Sequence, residues 1–219
     1  MFRLSKAAEF PMQLKILSWN IWDHGYFDQI AQFLKSSEAD IIGLQEVTLN
    51  DPSRDTLGYL QKLGYAHALS PFVQLKDGRT RGNAIFSKYK ILASQAHELS
   101  KTPDRSAIQA DIDVGGTKFH IFNTHLVHTH QQLSEVQLSQ TENLLKALPT
   151  SRTIVMGDFN ATTDSVVIRK MCENLIDTDP TAAPTWCVYP EGCLTCNRAN
   201  IDTRLDYIFT SKDIKTASF

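Results

Sequence analysis

Five short apolar runs, each ending at or interrupted by a polar side chain, limit what this chain can fold into. They are Lys15-Ile16-Leu17-Ser18-Trp19-Asn20; Ile41-Ile42-Gly43-Leu44-Gln45-Glu46-Val47; Lys118 to Leu126, which delivers His125; Thr153-Ile154-Val155-Met156 followed by Gly157-Asp158-Phe159-Asn160-Ala161; and Arg204-Leu205-Asp206-Tyr207-Ile208-Phe209. Short apolar runs bounded by turn-forming residues read as buried strands. Asp158 and Asn160 stand two apart, so they project to the same side of an extended segment. A carboxylate that activates water beside an amide that holds an oxyanion is a fragment of a hydrolytic site. Any one of these polar strand ends reads as an ordinary turn residue. Five together supply an Asn, a Glu, a His, an Asp with an Asn, and an Asp, a set able to bind a metal or move a proton.

Helical spacing joins the strands. Apolar residues at 27, 30, 33 and 34 predict a helix over Phe27–Ser36, which links the first two strands as a βαβ-like unit. Leu57–Leu63 reads as a short helix stopped by Gly64. Leu133–Leu148 is the longest helix candidate, ended by Pro149, and Asp164 is expected to cap a helix over Ser165–Cys172. Gly82–Ser87, Ile91-Leu92 and Gln109–Val114 read as strands, with a hairpin over Asp113–Lys118 leading into the His125 strand. Strands alternating with helices, plus hairpins, imply an α/β fold with mixed sheets.

At 219 residues and 42% hydrophobic, the chain can bury one substantial core and is expected to be a single domain, 12–219, behind an N-terminal extension, 1–11. A net charge of −2 gives no global positive field to attract nucleic acid. No apolar run approaches the ~18 residues of a membrane span, and Met1–Lys6 lacks the core of a signal peptide, so a cytoplasmic monomer is the expectation. Cys187, Cys193 and Cys196 have a spacing that invites zinc, while reduced thiols in a surface insertion explain them more simply.

In chain order, Asn20 in Ser-Trp-Asn, Glu46 in Leu-Gln-Glu-Val, His125 in Asn-Thr-His-Leu, the run Gly157–Ala161, and Asp206 in Arg-Leu-Asp-Tyr-Ile-Phe resemble the motifs of the endonuclease/exonuclease/phosphatase superfamily, the deoxyribonuclease-like metal-dependent phosphodiesterases. The resemblance runs from Lys15 to Phe209 and implies a four-layer sandwich of two facing mixed β-sheets flanked by helices. The site would lie where the strand ends converge. Family members close with a Ser-Asp-His run, which this sequence does not contain after Asp206. The resemblance therefore implies a truncated domain with its final strand missing, an unpaired sheet edge or an exposed core groove, and lower stability than a complete one.

The resemblance also implies roles. Glu46 is the expected main ligand of Mg2+ (or Mn2+), supported by Asn20. Asp158 would deprotonate the attacking water, Asn160 would donate to a phosphoryl oxygen, and His125 would donate to the phosphate or protonate the leaving group. Asp206 would orient the terminal histidine of the family. Asn83 and Trp186 are candidate substrate contacts. Where some nucleases carry an Asp two residues after the first Asn, this chain has Trp22, with Asp23 one step further. His120, five residues before His125, falls on the opposite strand face and reads as structural. His128 and His130 read as loop residues, and Arg105 as a solvated loop arginine. Pro184-Thr185-Trp186-Cys187 only superficially matches inositol 5-phosphatases. The expected partner is a phosphate ester: nucleic acid, lipid or small molecule. Two further readings stay open, a sphingomyelinase-like lipid phosphodiesterase and a non-catalytic relative that binds phosphate ligands or proteins.

Overall fold

The computed structural model describes residues 12–22, 25–70, 73–101, 104–129, 132–186 and 203–219. The N-terminal extension, Asp23, His130 and the cysteines at 187, 193 and 196 lie outside the described residues. So does the insertion between Trp186 and Thr203. In chain order the elements are β1 (Ile16–Asn20), α1 (Phe27–Ser37), β2 (Ile41–Leu49), α2 (Thr56–Lys62), β3 (Ala66–Leu69), β4 (Val73–Gln74), β5 (Thr80–Ser87), β6 (Lys90–Lys101), β7 (Asp104–Val114), β8 (Thr117–His125), α3 (Glu135–Ala147), β9 (Thr153–Asp158), α4 (Val166–Asn174), β10 (Ile176–Asp177) and β11 (Asp206–Thr210).

All five apolar runs form strands, divided between two sheets. The first has the order β1-β2-β5-β3, with β4 also on β5; the second runs β10-β11-β9-β8-β7-β6. The parallel pairs are β1 with β2 through α1, and β8 with β9 through α3, as helical crossovers require. Alternation along each strand sorts side chains into layers. Ile41 packs between the sheets and Ile42 against α1 and α2; Ile154 and Met156 face inward while Val155 faces α3 and α4. The result is the expected sandwich of helices, sheet, sheet and helices. Among the described strands β1 pairs only with β2, and all five of its residues are half-buried.

Local chemistry explains where the elements differ from their expected bounds. Ser165, not Asp164, caps α4: its hydroxyl accepts from the Ile168 N–H, while Asp164 accepts from the Thr162 hydroxyl. Ser134 caps α3 in the same way, so that helix begins at Glu135 rather than Leu133. β6 extends far beyond Ile91-Leu92; its residues 92–96 are all exposed, so no apolar run marks it in the sequence. Arg105 is not a loop residue; it is half-buried in β7. The β7–β8 hairpin turns at Gly115 and Gly116, whose φ values of 61° and 84° suit a tight two-residue turn.

Candidate active site

The register of the second sheet sets one row of polar groups. His125 on β8 is the Cα partner of Asp158 on β9, and Asp206 on β11 is its partner on the other side. His125 Nε2 stands 3.6 Å from Asp158 Oδ2. Gly157 permits the close pairing that precedes Asp158: its φ is 150°, and a Cβ there would lie 2.1 Å from the Thr124 carbonyl oxygen.

The first sheet supplies a second row. Asn20 ends β1 opposite Gln45 of β2. The β2–β5 register then shifts between Leu44 and Val47, and Glu46 sits in this bulge with φ 59°. A bulge re-aims side chains, here presenting Glu46 beside Asn20. Arg81, from β5, reaches Glu46 Oε2 at 3.4 Å. Trp22 (φ 49°) and Asn160 (φ 49°) share the left-handed backbone of Glu46. Glu38, Asn50, Arg152 and Ala182 share it too, so it marks backbone held by its surroundings rather than the site by itself.

Asn20 joins the two rows. Its Nδ2 donates to Glu46 Oε1 (3.3 Å) and to Asp158 Oδ2 (3.1 Å), while its Oδ1 accepts from the Trp22 N–H. Beneath it, two buried amides bridge the sheets: Gln45 Nε2 donates to Asn123 Oδ1 at 2.6 Å, and Asn123 Nδ2 donates to the carbonyls of Leu44 and Ala84. The side chains of Glu46, His125 and Asp158 are 14, 16 and 11% exposed, so water and a small anion can reach groups that are otherwise desolvated.

Asp158 is held on its other side by the Asn160 N–H, which donates to Oδ1 at 2.8 Å. Asn160 is buried, and its Nδ2 donates to the Leu126 carbonyl. Asp206 accepts a 2.6 Å hydrogen bond from the Thr185 hydroxyl at Oδ2, while its buried Oδ1 has no hydrogen-bond partner among the described residues. Burial first, and the neighbouring Asp158 second, raise the Asp206 carboxyl to about 8; Thr185 and Arg204 pull the other way. Arg204, buried, forks onto Asp177 with bonds of 2.8 and 2.7 Å and lies over the Tyr207 ring, fixing the start of β11.

The two expected substrate contacts sit in different surroundings. Asn83 is buried in β5, and its Nδ2 donates to the Ser106 carbonyl across the sandwich, so this amide ties the sheets together. Trp186 forms an isolated bridge with Thr203; its neighbour Thr185 is the residue that touches Asp206. His120 bonds Asp111 at 2.7 Å on the adjacent strand, away from the His125 row, and His128 lies exposed after β8. Arg81, Thr185, Gln45 and Asn123 were not legible as site residues. Only strand pairing puts Arg81 opposite Thr48, near Glu46, and only folding brings Thr185 to Asp206.

Among the described residues no three His, Cys, Asp or Glu side chains form a ready cluster of metal ligands. The donor set still fits one kind of ion. Magnesium keeps most of its water and needs only one or two protein carboxylates, and Glu46 offers a carboxylate reachable from solvent. Asn20 turns its nitrogen, not its oxygen, to that carboxylate, and so acts as its holder. A cavity of about 280 Å3 opens beside Asn160, between the first turns of α3 and α4.

The sequence profile of the Endonuclease/Exonuclease/phosphatase family matches residues 17–219. Comparison with curated proteins finds no match. Solved structures give the fold. A family protein from Beutenbergia cavernae superposes with a TM-score of 0.71 at 22% identity, covering 90% of this chain and 63% of that one. The chain therefore spans less than two thirds of that relative. One from Leptotrichia buccalis gives 0.69 at 20% identity, with 93% and 89% covered. The human Nocturnin catalytic domain with bound sulfate gives 0.65 at 23% identity, with 91% and 83% covered. No helix among the described residues is long and apolar enough to cross a membrane.

Proposed function

The chain belongs to the Endonuclease/Exonuclease/phosphatase family, and from that premise we propose that it is a Mg2+-dependent hydrolase of phosphate esters, acting as a phosphodiesterase. The observation that carries this reading is the Asn20 amide, which couples the Glu46 row of one sheet to the Asp158 row of the other. Hydrolysis needs a base for the attacking water, donors for phosphoryl oxygens, and a proton for the leaving oxygen. Asp158 Oδ2, positioned by Asn20 and next to His125 Nε2, takes the proton of the water. Asn160 has a second Nδ2–H beyond its bond to Leu126 and donates it to a phosphoryl oxygen. His125 carries a proton to the leaving oxygen. Mg2+ held by Glu46 would neutralise charge on the phosphate. Trp186, next in sequence to the Thr185 that bonds Asp206, is the proposed substrate contact on that side of the site.

The test is hydrolysis of bis(p-nitrophenyl) phosphate and p-nitrophenyl phosphate with Mg2+, with chelator, and by Glu46→Gln. The reading expects turnover that needs the metal, faster on the diester, and a loss of at least ~10²-fold in Glu46→Gln. Turnover unchanged by chelator and by the substitution would sink it.

A further inference from the structure

We propose that Gln137 is a positioning residue for the hydrolytic site, a role that rests on the function just argued. Gln137 lies in α3, outside both sheets, and is 4% exposed. Its Nε2 lies within hydrogen-bond distance of three backbone carbonyls, Val127 at 2.9 Å, Phe159 at 3.1 Å and Asn160 at 3.0 Å, which share its two N–H hydrogens. Val127 follows His125 by two residues, and Phe159 and Asn160 follow Asp158 directly. One amide thus ties together the two loops that carry the second-sheet row.

The path from Gln137 to the reacting groups is short. The Asn160 carbonyl accepts from Gln137, and the Asn160 N–H donates to Asp158 Oδ1. The Asn160 side chain reaches the Leu126 carbonyl, and the Leu126 N–H donates to the Asp158 carbonyl. The Asn160 backbone, held at φ 49°, is where a missing restraint would first relax. Gln137 is itself fixed, its N–H donating to Ser134 Oγ and its carbonyl accepting from Thr141 Oγ1. A donor on a helix, locked at its backbone, sets loop geometry more tightly than the loops set themselves.

The experiment compares Gln137→Met, which keeps the volume and removes the donor, with Leu144→Ala, a cavity variant in the buried core on the same helix. Kinetics on the diester and 1H–15N spectra of the Asn160 amide and His125 ring are recorded for both. Displacement of catalytic groups by a fraction of an ångström predicts that Gln137→Met loses ~10²-fold in kcat with KM within about twofold. The Asn160 and His125 resonances should move in Gln137→Met. Leu144→Ala should melt earlier yet keep kcat within about threefold. An unchanged kcat in Gln137→Met, or an equal loss in Leu144→Ala, overturns the proposal. A wild-type protein that hydrolyses no ester would refute the hydrolase reading alone. The spectra then decide the positioning role, and unmoved Asn160 and His125 resonances would overturn it.

Discussion

Burial and the adjacent Asp158 raise the Asp206 carboxyl from the ordinary 3.8 to about 8, so the folded protein holds this proton to higher pH than the unfolded chain does. The unfolded chain releases it near 3.8. Between these values the folded state binds more protons, and stability must fall as pH rises through the window. The contribution is fully present below the unfolded value and gone above the folded one. Urea unfolding of wild type and Asp206→Asn from pH 4 to 8 measures this: the wild type should lose stability toward alkaline pH more steeply than the variant. Parallel curves would mean that the carboxyl is already ionised in the fold. At this scale the sequence was informative where a polar residue interrupts an apolar run, as at Asn20, Glu46, His125, Asp158 and Asp206. It was silent on Thr185 and Arg81, whose importance comes only from what folding brings beside them. It could not separate two roles for Asn83, because a buried amide that bonds a distant carbonyl and one that faces a ligand look alike in sequence.

The elements turn those residues into a site through register. β8, β9 and β11 set His125, Asp158 and Asp206 in line, and a bulge in β2 aims Glu46 at the same end of the sandwich. Strand existence was readable from apolar runs because these strands are covered on both faces. β6 was not, since it is exposed on both faces over residues 92–96, and the bulge leaves no mark in Leu44-Gln45-Glu46-Val47. Helix starts shifted by a residue or two according to which hydroxyl took the cap. The amides of Gln45 and Asn123, both fully buried, fix β2 of one sheet against β8 of the other. Asn123→Leu would leave the Gln45 amide and the Leu44 and Ala84 carbonyls short of partners. At about 1–3 kcal/mol per buried unpaired group, partly relieved by relaxation, a loss of about 3 kcal/mol is expected in urea unfolding. A loss below about 0.5 kcal/mol, the range of ordinary surface substitutions, would show that the bridge holds nothing.

At the scale of the whole molecule, each sheet carries half of the candidate site. Glu46 comes with the first sheet, His125, Asp158 and Asp206 come with the second, and Asn20 spans the join. The fold class was legible because alternating strands and helices with two crossovers leave few other arrangements. The meeting of the two rows was legible only through the family resemblance, since no local pattern encodes which strand ends face each other across a sandwich. A chain with net charge −2 has no overall field to gather a polyanion, so on the proposed function a phosphate ester would have to be held by the local groups. The most direct test is the initial rate of Mg2+-dependent diester hydrolysis by wild type against Asp158→Asn, which keeps the shape but removes the base. A fall of ~10³-fold or more with the fold intact is expected. A rate within tenfold of wild type would contradict it, and the chemistry would have to be sought away from the junction of the two sheets.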